Sequence, residues 1–282
     1  MSNKEIVGYS IGRKEYIKVE SNLRLYVTDL GQGKPVVLIH GWPLSDVMYE
    51  YQYQFLEEKG YRVIGILLRG FGKSDKPYGV YNYNAYAHDI KVVLEKLDIK
   101  DATLGGFSVG GAIAIHYIAK HNSARISKLA LFGAAAPVWT RRNDYDYGFT
   151  KEAVDELIAL SKVNRPQLLE DFGKLFGASE TALPAGIASW LEGINVEASS
   201  YATTRSSIAL IDTNLRDKLS KISIPTAIFH GAKDAIYEFS LAEQMHQELK
   251  NSYIVKFENS GHGFFIEELE KFNTELVAFL QK

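Results

Sequence analysis

Six short runs of β-branched and aliphatic residues recur along this chain, at residues 36–39, 63–67, 102–104, 129–132, 226–229 and 253–255. Each run has the length and composition of a buried strand. Amphipathic stretches with helical spacing lie between most of these runs, for example at residues 86–97 and 242–249. Strands that alternate with helices predict an α/β fold with a mainly parallel central sheet flanked by helices.

The alternation stops between residues 137 and 216, where helical periodicity continues without strand runs. The apolar residues of this segment fall into three groups at helical spacing. The groups are Val154, Leu157, Ile158 and Leu160, then Leu168, Leu169, Phe172, Leu175 and Phe176, and finally Ile187, Trp190, Leu191 and Ile194. We therefore predict a core of residues 1–136 and 217–282, with residues 137–216 inserted as a helical cap. A chain of 282 residues is long enough for one domain of this kind.

Charge and cysteine content exclude several classes of function. The 32 basic and 34 acidic residues are spread along the chain without a long block of like charge, so we expect no nucleic-acid partner. The chain has no cysteine, which excludes disulfide bonds, thiolate zinc sites and a cysteine nucleophile.

Two features argue against a secreted or membrane protein. Lys4, Glu5, Arg13, Lys14 and Glu15 interrupt the first residues before an apolar segment of signal-peptide length can form. The uncharged stretch at residues 102–119 approaches the length of a membrane span, but a cluster of glycines divides it into a strand part and a helix part. We expect a cytoplasmic protein that does not associate with membranes.

A Gly-x-Ser-x-Gly motif at residues 106–110 centres on Ser108. A strand run precedes it and a helical stretch follows it, which is the context of a nucleophilic serine on a tight strand-to-helix turn. Glycines permit the strained backbone and close neighbours of such a turn, and the helix N-terminus favours developing negative charge. No lysine follows, as a phosphate-binding loop would require. Ser108 is therefore the predicted nucleophile.

A serine hydroxyl is a weak nucleophile until a histidine takes its proton and a third group orients that histidine. Asp234 stands in the loop after the run at residues 226–229, and His262 follows the run at residues 253–255. The order Ser, Asp, His is the order of the triad in the α/β-hydrolase fold. We therefore predict that His262 acts as the base and that Asp234 supports it. Structural or surface roles are expected for His40, His116, His230 and His246.

Acyl transfer also needs N–H donors at the oxygen that becomes negative. In this arrangement one donor is the amide directly after the nucleophile, and the other lies in the loop after an early strand. The first is the amide of Val109. The loop His40-Gly41-Trp42-Pro43 follows the run at residues 36–39, so we predict the amide of Trp42 as the second donor. A small-molecule substrate would bind beside them.

Five sequence blocks are distinctive when taken together. They are His40-Gly-Trp-Pro-Leu-Ser45, Arg69-Gly-Phe-Gly-Lys-Ser-Asp75, Gly106-Phe-Ser-Val-Gly-Gly111, His230-Gly-Ala-Lys-Asp234 and Ser260-Gly-His-Gly-Phe264. From about residue 25 to the end the chain resembles bacterial arylesterases and cofactor-free haloperoxidases (perhydrolases) of the α/β-hydrolase fold, least so across the cap. The resemblance implies hydrolysis of small aryl and alkyl esters and acyl transfer to hydrogen peroxide. It implies neither a metal nor an organic cofactor.

Two residues depart from the pattern of that family. Leu67 stands where an aspartate is usual, so we expect the hydrogen bonds that normally brace the following loop to be missing. Val109 stands where a methionine is usual, and its smaller side chain would open the acyl pocket. A proline at position 43 is shared with members of that family that are associated with perhydrolysis. Epoxide hydrolases and haloalkane dehalogenases are excluded, because they need a carboxylate at the position of Ser108.

The leading hypothesis is a serine esterase in which Ser108 forms an acyl-enzyme that water or peroxide releases. A carbon–carbon bond hydrolase or a hydroxynitrile lyase stays open, because the same triad and fold serve those reactions. A ligand sensor that keeps the fold but signals through a partner protein also stays open. The sequence does not fix the oligomeric state, a homo-oligomer included.

Overall fold

The computed structural model describes residues 13–282. Lys4 and Glu5, on which the expectation about a signal peptide partly rests, lie outside the described residues. Within residues 13–282, eight strands form one sheet in the order β1-β2-β4-β3-β5-β6-β7-β8. The strands are β1 (Arg13–Glu20), β2 (Leu23–Leu30), β3 (Pro35–Ile39), β4 (Arg62–Ile66), β5 (Ala102–Phe107), β6 (Ile126–Phe132), β7 (Thr226–Gly231) and β8 (Ser252–Phe257).

The sheet is parallel from β4 to β8, and β2 runs antiparallel to both of its neighbours. The predicted mainly parallel α/β sheet is therefore confirmed. The six predicted runs coincide with β3 to β8, apart from Leu67, which follows the last residue of β4. Strands β5 and β7 are buried along their whole length, as expected of parallel strands that helices cover on both faces.

Strands β1 and β2 are absent from the sequence prediction. In β1 the side chains of Ile17 and Val19 are buried, whereas Tyr16 and Lys18 are exposed. This alternation is typical of antiparallel strands with one face in solvent. An alternating strand has no continuous apolar run, so a search for such runs does not find it.

Some helices pack around the sheet, and others make up the segment between β6 and β7. They are α1 (Glu50–Glu58), α2 (Tyr83–Lys96), α3 (Val109–His121), α4 (Lys151–Val163), α5 (Arg165–Lys174), α6 (Ala185–Val196), α7 (Ser200–Asp212), α8 (Arg216–Leu219), α9 (Phe239–Glu248), α10 (Phe264–Glu267) and α11 (Leu269–Gln281). The two amphipathic stretches predicted at residues 86–97 and 242–249 overlap α2 and α9, each of which begins three residues earlier and ends one residue earlier. No helix within residues 13–282 is both long and apolar enough to cross a membrane.

Helices α4, α5 and α6 match the three apolar groups of the segment at residues 137–216. Leu175 and Phe176 were expected in the second of these helices, but α5 ends at Lys174 and both residues follow it. The segment also contains α7, which the sequence prediction lacks. Its buried positions are mostly small or hydroxyl-bearing, among them Thr203, Ser206 and Ser207, and Leu210 is the buried large apolar residue, so it shows no long apolar stripe.

The two ends of this segment meet in space. Val138 and Asn214 form an antiparallel bridge, and the amide of Leu215 donates to the carbonyl of Pro137 at 2.9 Å. The chain therefore leaves and re-enters the sheet layer at neighbouring points. We propose on this basis that residues 137–216 are a cap inserted into a core of residues 1–136 and 217–282.

Candidate active site

Ser108 lies between the end of β5 and the start of α3. Its backbone has φ 55° and ψ −120°, in the positive-φ region that residues with a side chain rarely adopt. The amide of Ser108 donates to the carbonyl of Phe132 at 2.8 Å, and its own carbonyl accepts from the amide of Ala135 at 2.9 Å. These bonds to the end of β6 and to the loop after it hold a turn that costs on the order of 1–3 kcal/mol of strain.

The glycines on either side of Ser108 are required by close backbone contacts. A Cβ atom at Gly106 would lie 2.4 Å from the carbonyl oxygen of Gly110. A Cβ atom at Gly110 would lie 2.4 Å from the carbonyl oxygen of Ile39. Backbone atoms cannot move aside as a flexible side chain can, so only glycine fits at both positions.

His262 follows β8 and Asp234 follows β7, and the two side chains meet. Nδ1 of His262 lies 2.7 Å from Oδ2 of Asp234. The other carboxylate oxygen, Oδ1, accepts from the amides of Ile236 and Tyr237, both at 2.8 Å. With its proton held on Nδ1 by the carboxylate, the imidazole presents the lone pair of Nε2 as a base.

The carboxylate of Asp234 stays charged although it is buried. Burial raises its pKa, but the neighbouring imidazoles of His262 and His230 and the bond from the amide of Tyr237 act in the opposite direction, and the net pKa lies below the ordinary value. An ionised Asp234 is the form that can accept the Nδ1–H of His262.

Aromatic rings surround the imidazole of His262. Its centroid lies 4.5 Å from that of Phe107, 5.2 Å from that of Tyr237 and 5.6 Å from that of Phe176. Phe107 directly precedes Ser108, so Ser108 and His262 belong to one packed cluster at the carboxyl ends of β5, β7 and β8. The structure thus brings all three predicted triad residues to the same edge of the sheet.

The hydroxyl of Ser108 lies near the phenol of Tyr237. Within residues 13–282 the structure contains no hydrogen bond between this hydroxyl and His262. Bonds between a nucleophile and its base are often long in a ligand-free enzyme and shorten when substrate binds. The cluster therefore has the composition of a triad, together with a tyrosine that the sequence did not indicate.

The two amides predicted to form the oxyanion hole have no competing acceptor. Neither Trp42 N–H nor Val109 N–H donates to an acceptor anywhere in the described part of the chain, residues 13–282. A Cβ atom at Gly41 would lie 3.1 Å from Cβ of Ser108, so the loop that carries Trp42 lies against Ser108. Free N–H groups beside the reacting centre are what an oxyanion hole requires.

The other four candidate histidines each have hydrogen-bond partners of their own. His40 is buried, donates from Nδ1 to the carbonyl of Gly41 at 2.8 Å and accepts from the amide of Leu68 at 3.1 Å. Burial lowers the pKa of His40 to about 4. His230 donates from Nε2 to the carbonyl of Tyr237 at 2.7 Å and also lies 3.5 Å from Oδ2 of Asp234. The exposed His246 bonds to Ser252, and His116 bonds to Asn84.

The loop after β4 is braced although Leu67 replaces the usual aspartate. Leu67 is buried, and its carbonyl accepts from the hydroxyl of Ser74 at 2.9 Å. Arg69 forms two bonds of 2.7 Å with the carboxylate of Asp89. Leucine cannot make the bonds of an aspartate side chain, and other side chains brace this loop.

A carboxylate that carries no sequence motif holds the loop of His262. Glu267 accepts from the amide of Gly261 at 2.8 Å and from the amide of Ala178 at 2.8 Å. The amide of Gly263 donates to the carbonyl of Phe176 at 2.7 Å. These bonds fasten the residues on both sides of His262 to the segment between α5 and α6.

A cavity of about 200 Å³ lies between α5, α6 and the loop after β3. Its walls include the apolar side chains of Trp42, Phe172, Phe176 and Leu191. Oδ1 of Asn195, which also lines it, is buried without a hydrogen-bond partner among the described residues. Because Phe176 packs on His262, the cavity adjoins the triad cluster.

Comparison with known proteins agrees with this architecture. Residues 34–269 match the family described as alpha/beta hydrolase fold. The chain is 46% identical over 264 residues to the AB hydrolase superfamily protein YisY of Bacillus subtilis (strain 168), covering 94% of this chain and 98% of that protein. It is 30% identical over 274 residues to the non-heme chloroperoxidase of Streptomyces lividans, covering 94% and 99%. The solved structure of an esterase (EaEST) from Exiguobacterium antarcticum superposes with a TM-score of 0.93 at 45% identity, covering 96% of this chain and 100% of that chain. The chain therefore belongs to the α/β-hydrolase fold family.

Proposed function

We propose that the protein is a serine hydrolase that cleaves small carboxylic esters through an acyl-enzyme on Ser108. The observation that carries the proposal is the 2.7 Å contact between His262 and Asp234 beside a strained serine turn. This geometry supplies a base held in one orientation and a serine on the kind of turn that carries a nucleophile. The similarity to a protein named as an esterase, at 45% identity, supports the same class of reaction.

In the first step Oγ of Ser108 attacks the carbonyl carbon while Nε2 of His262 takes the hydroxyl proton. Negative charge develops on the carbonyl oxygen, where the amides of Trp42 and Val109 donate hydrogen bonds. His262 then gives the proton to the leaving alcohol, and the acyl group stays on Ser108. In the second step a water molecule loses a proton to His262 and attacks the acyl carbon. The bond from the acyl carbon to Oγ of Ser108 then breaks, His262 returns the proton to Oγ, and the acid leaves.

We propose acyl transfer to hydrogen peroxide as a side activity of the same acyl-enzyme. Peroxide would replace water in the second step, lose a proton to His262 and leave as a peracid. The support is the sequence resemblance to perhydrolases and the similarity to a protein named as a non-heme chloroperoxidase.

The size of the cavity supports small substrates. A volume of about 200 Å³ is below the roughly 300–1,000 Å³ of most ligand pockets, so we expect short acyl or small aryl groups to fit best. Trp42 contributes one wall and is fixed by a bond of 3.0 Å from its indole N–H to the carbonyl of Thr203. Its ring also meets Phe172 edge-on at 5.1 Å.

Turnover of a series of p-nitrophenyl esters, with and without a serine-directed phosphonate, tests this function. We expect kcat/KM to be highest for short acyl chains and one equivalent of phosphonate to abolish turnover. A parallel assay with peroxide is expected to yield peracid. Labelling of Ser108 without ester turnover would contradict the esterase and indicate a ligand sensor, and turnover unaffected by the phosphonate would exclude a serine nucleophile.

A further inference from the structure

Asn195 lies on the face of α6 that borders the cavity between α5 and α6. Ala188, Leu191 and Asn195 line the cavity at intervals of three and four residues, which places them on one side of the helix. Leu191 and Ile194, which are also buried, are apolar, as expected of the inner side of a helix. A carboxamide at a buried position of this helix therefore needs an explanation other than packing.

The carboxamide of Asn195 is buried without a hydrogen-bond partner for its oxygen. The residue is 9% exposed, and Oδ1 bonds to no other group within residues 13–282. An unpaired polar group destabilises a folded protein, whereas leucine has a similar volume and leaves no polar atom unpaired. A bound molecule that supplies the missing hydrogen bond would offset this cost.

The surroundings of Asn195 indicate which kind of group would bind there. The other buried residues that line the cavity, among those the structure describes, are Trp42, Pro43, Leu44, Leu169, Phe176 and Leu191. The charged lining residues in the described part of the chain are exposed, and they are Glu170, Lys174, Glu180 and Glu192. A charged group beside Asn195 would be buried among apolar side chains, so a neutral group fits better. A hydroxyl group is neutral and both donates and accepts, so it can bond to either end of the carboxamide.

The cavity adjoins the predicted catalytic residues. Trp42 forms part of its wall, and the preceding residue, Gly41, lies against Ser108. Phe176 forms another part of the wall and packs on His262 at a centroid distance of 5.6 Å. An ester with its carbonyl group at Ser108 can therefore place one of its two substituents in the cavity. That substituent is short, because the cavity measures about 200 Å³.

We propose that Asn195 is a specificity-determining residue, which forms a hydrogen bond with a hydroxyl group on the substituent that occupies the cavity. The preferred substrates are then small esters with a hydroxyl group on the acyl chain or on the alcohol part. The proposal rests on the proposed function, because it takes Ser108 as the group that attacks the ester. It adds no chemical step, since the carboxamide holds the substrate and transfers no proton.

Two pairs of esters test the proposal, and the members of each pair differ by a hydroxyl group in place of a methyl group. Racemic methyl β-hydroxybutyrate and methyl isovalerate differ in the acyl chain. Hydroxyethyl acetate and propyl acetate differ in the alcohol part. The ratio of kcat/KM within each pair, hydroxyl ester over methyl counterpart, is measured by acid release at constant pH in the wild type and in Asn195→Leu.

We expect Asn195→Leu to lower this ratio roughly 5- to 20-fold in at least one pair, because the hydroxyl group loses its partner. The pair that responds identifies the substituent in the cavity. A change in stability or in overall activity alone would alter both members of a pair alike and leave the ratio unchanged. The matched control is Ser189→Ala, which removes an exposed hydroxyl group from the same cavity and should keep both ratios.

The outcomes separate this proposal from the proposed function. Unchanged ratios in both pairs would overturn the role of Asn195 and leave ester hydrolysis by Ser108 standing. Equal falls in Asn195→Leu and Ser189→Ala would overturn it too, because the effect would not be specific to the carboxamide. Failure of the wild type to hydrolyse these esters and p-nitrophenyl acetate would overturn both claims. Should Asn195→Leu not fold, Asn195→Ala removes the same polar atoms and is expected to lower the ratio in the same way.

Discussion

Nδ1 of His262 lies 2.7 Å from Oδ2 of Asp234, although the two residues follow different strands. Strands β7 and β8 are parallel neighbours, so their carboxyl ends lie side by side and the loops after them meet. The contact therefore follows from the topology of the sheet. It needs no long loop and no movement of the cap.

Replacement of Asp234 by asparagine keeps the shape of the side chain but removes its charge. The amide group can donate to Nδ1, which favours the imidazole tautomer that cannot accept a proton at Nε2. We expect Asp234→Asn to lower kcat for p-nitrophenyl acetate by about 10⁴-fold with the fold intact. The control Asp217→Asn changes an exposed aspartate of α8 and should keep wild-type activity. A loss of less than about tenfold in Asp234→Asn would show that this carboxylate does not support the base.

Replacement of Gly41 tests the contact between Ser108 and the loop that carries Trp42. A Cβ atom there would lie 2.7 Å from Cδ1 of Phe107 and 3.1 Å from Cβ of Ser108, so the loop must move away. We expect Gly41→Ala to lower kcat/KM by roughly 10- to 1,000-fold, because the amide of Trp42 moves with the loop. Gly186→Ala in α6, where an added Cβ meets nothing within 4 Å, is the matched control. Equal activity in the two variants would argue against Trp42 as a donor.

Glu267 is expected to stabilise the loop of His262. Glutamine at this position can accept only one of the two amide bonds, and its NH₂ group would face the other N–H donor. We expect Glu267→Gln to lower the free energy of unfolding by about 1–3 kcal/mol and to lower kcat as well. Urea unfolding and esterase assays measure the two effects. Glu270→Gln, at an exposed position of α11, is the control, and identical stability of both variants would contradict this role.

Because His40 is buried, the free energy of unfolding is expected to depend on pH. Burial lowers its pKa from 6.5 to about 4, so between these values the unfolded chain binds more protons than the folded chain. The free energy of unfolding therefore decreases as the pH falls from about 6.5 to about 4, by about 3 kcal/mol from this residue, and His40 adds no further change below that window.

The pH effect of His40 is measured by urea unfolding at about pH 7.5 and about pH 4.5. His40→Gln should be less stable than the wild type at the higher pH, because it loses the bonds to Gly41 and Leu68, but should lose less stability on acidification. The control His246→Gln changes an exposed side chain and should lose as much as the wild type. An equal loss in His40→Gln and His246→Gln would exclude His40 as the source.

The strands that could be predicted are those that carry continuous apolar runs, β3 to β8. Most of them are buried because helices cover both faces of the sheet, although the edge strand β8 is only partly buried. Strand β1 was not predicted because only Ile17 and Val19 face inward while their neighbours face solvent. Helix α7 was not predicted because hydroxyl groups occupy much of its buried face, where Ser207 bonds to the carbonyl of Thr203 at 3.0 Å.

The residues of the candidate site also fall into a group that the sequence predicted and a group that it did not. Ser108, Asp234 and His262 stand in local motifs after strands, so strand order alone indicated that they lie at one edge. Tyr237 packs on His262, and Glu267 bonds to the loop of His262, through contacts that depend on how the loops fold onto one another. For Tyr237 the available signal was its place three residues after Asp234, whereas no local signal marks Glu267.

Acylation of Ser108 is the chemical event on which the proposed function depends. Rapid acid quenching of the enzyme mixed with p-nitrophenyl acetate, followed by peptide mass spectrometry, detects it directly. We expect an acetyl group on Ser108 in an amount that matches the burst of p-nitrophenol, and a fall in kcat of up to about 10⁶-fold in a folded Ser108→Ala variant. An acetyl group on another residue, or wild-type turnover by Ser108→Ala, would contradict the assignment of Ser108 as the nucleophile.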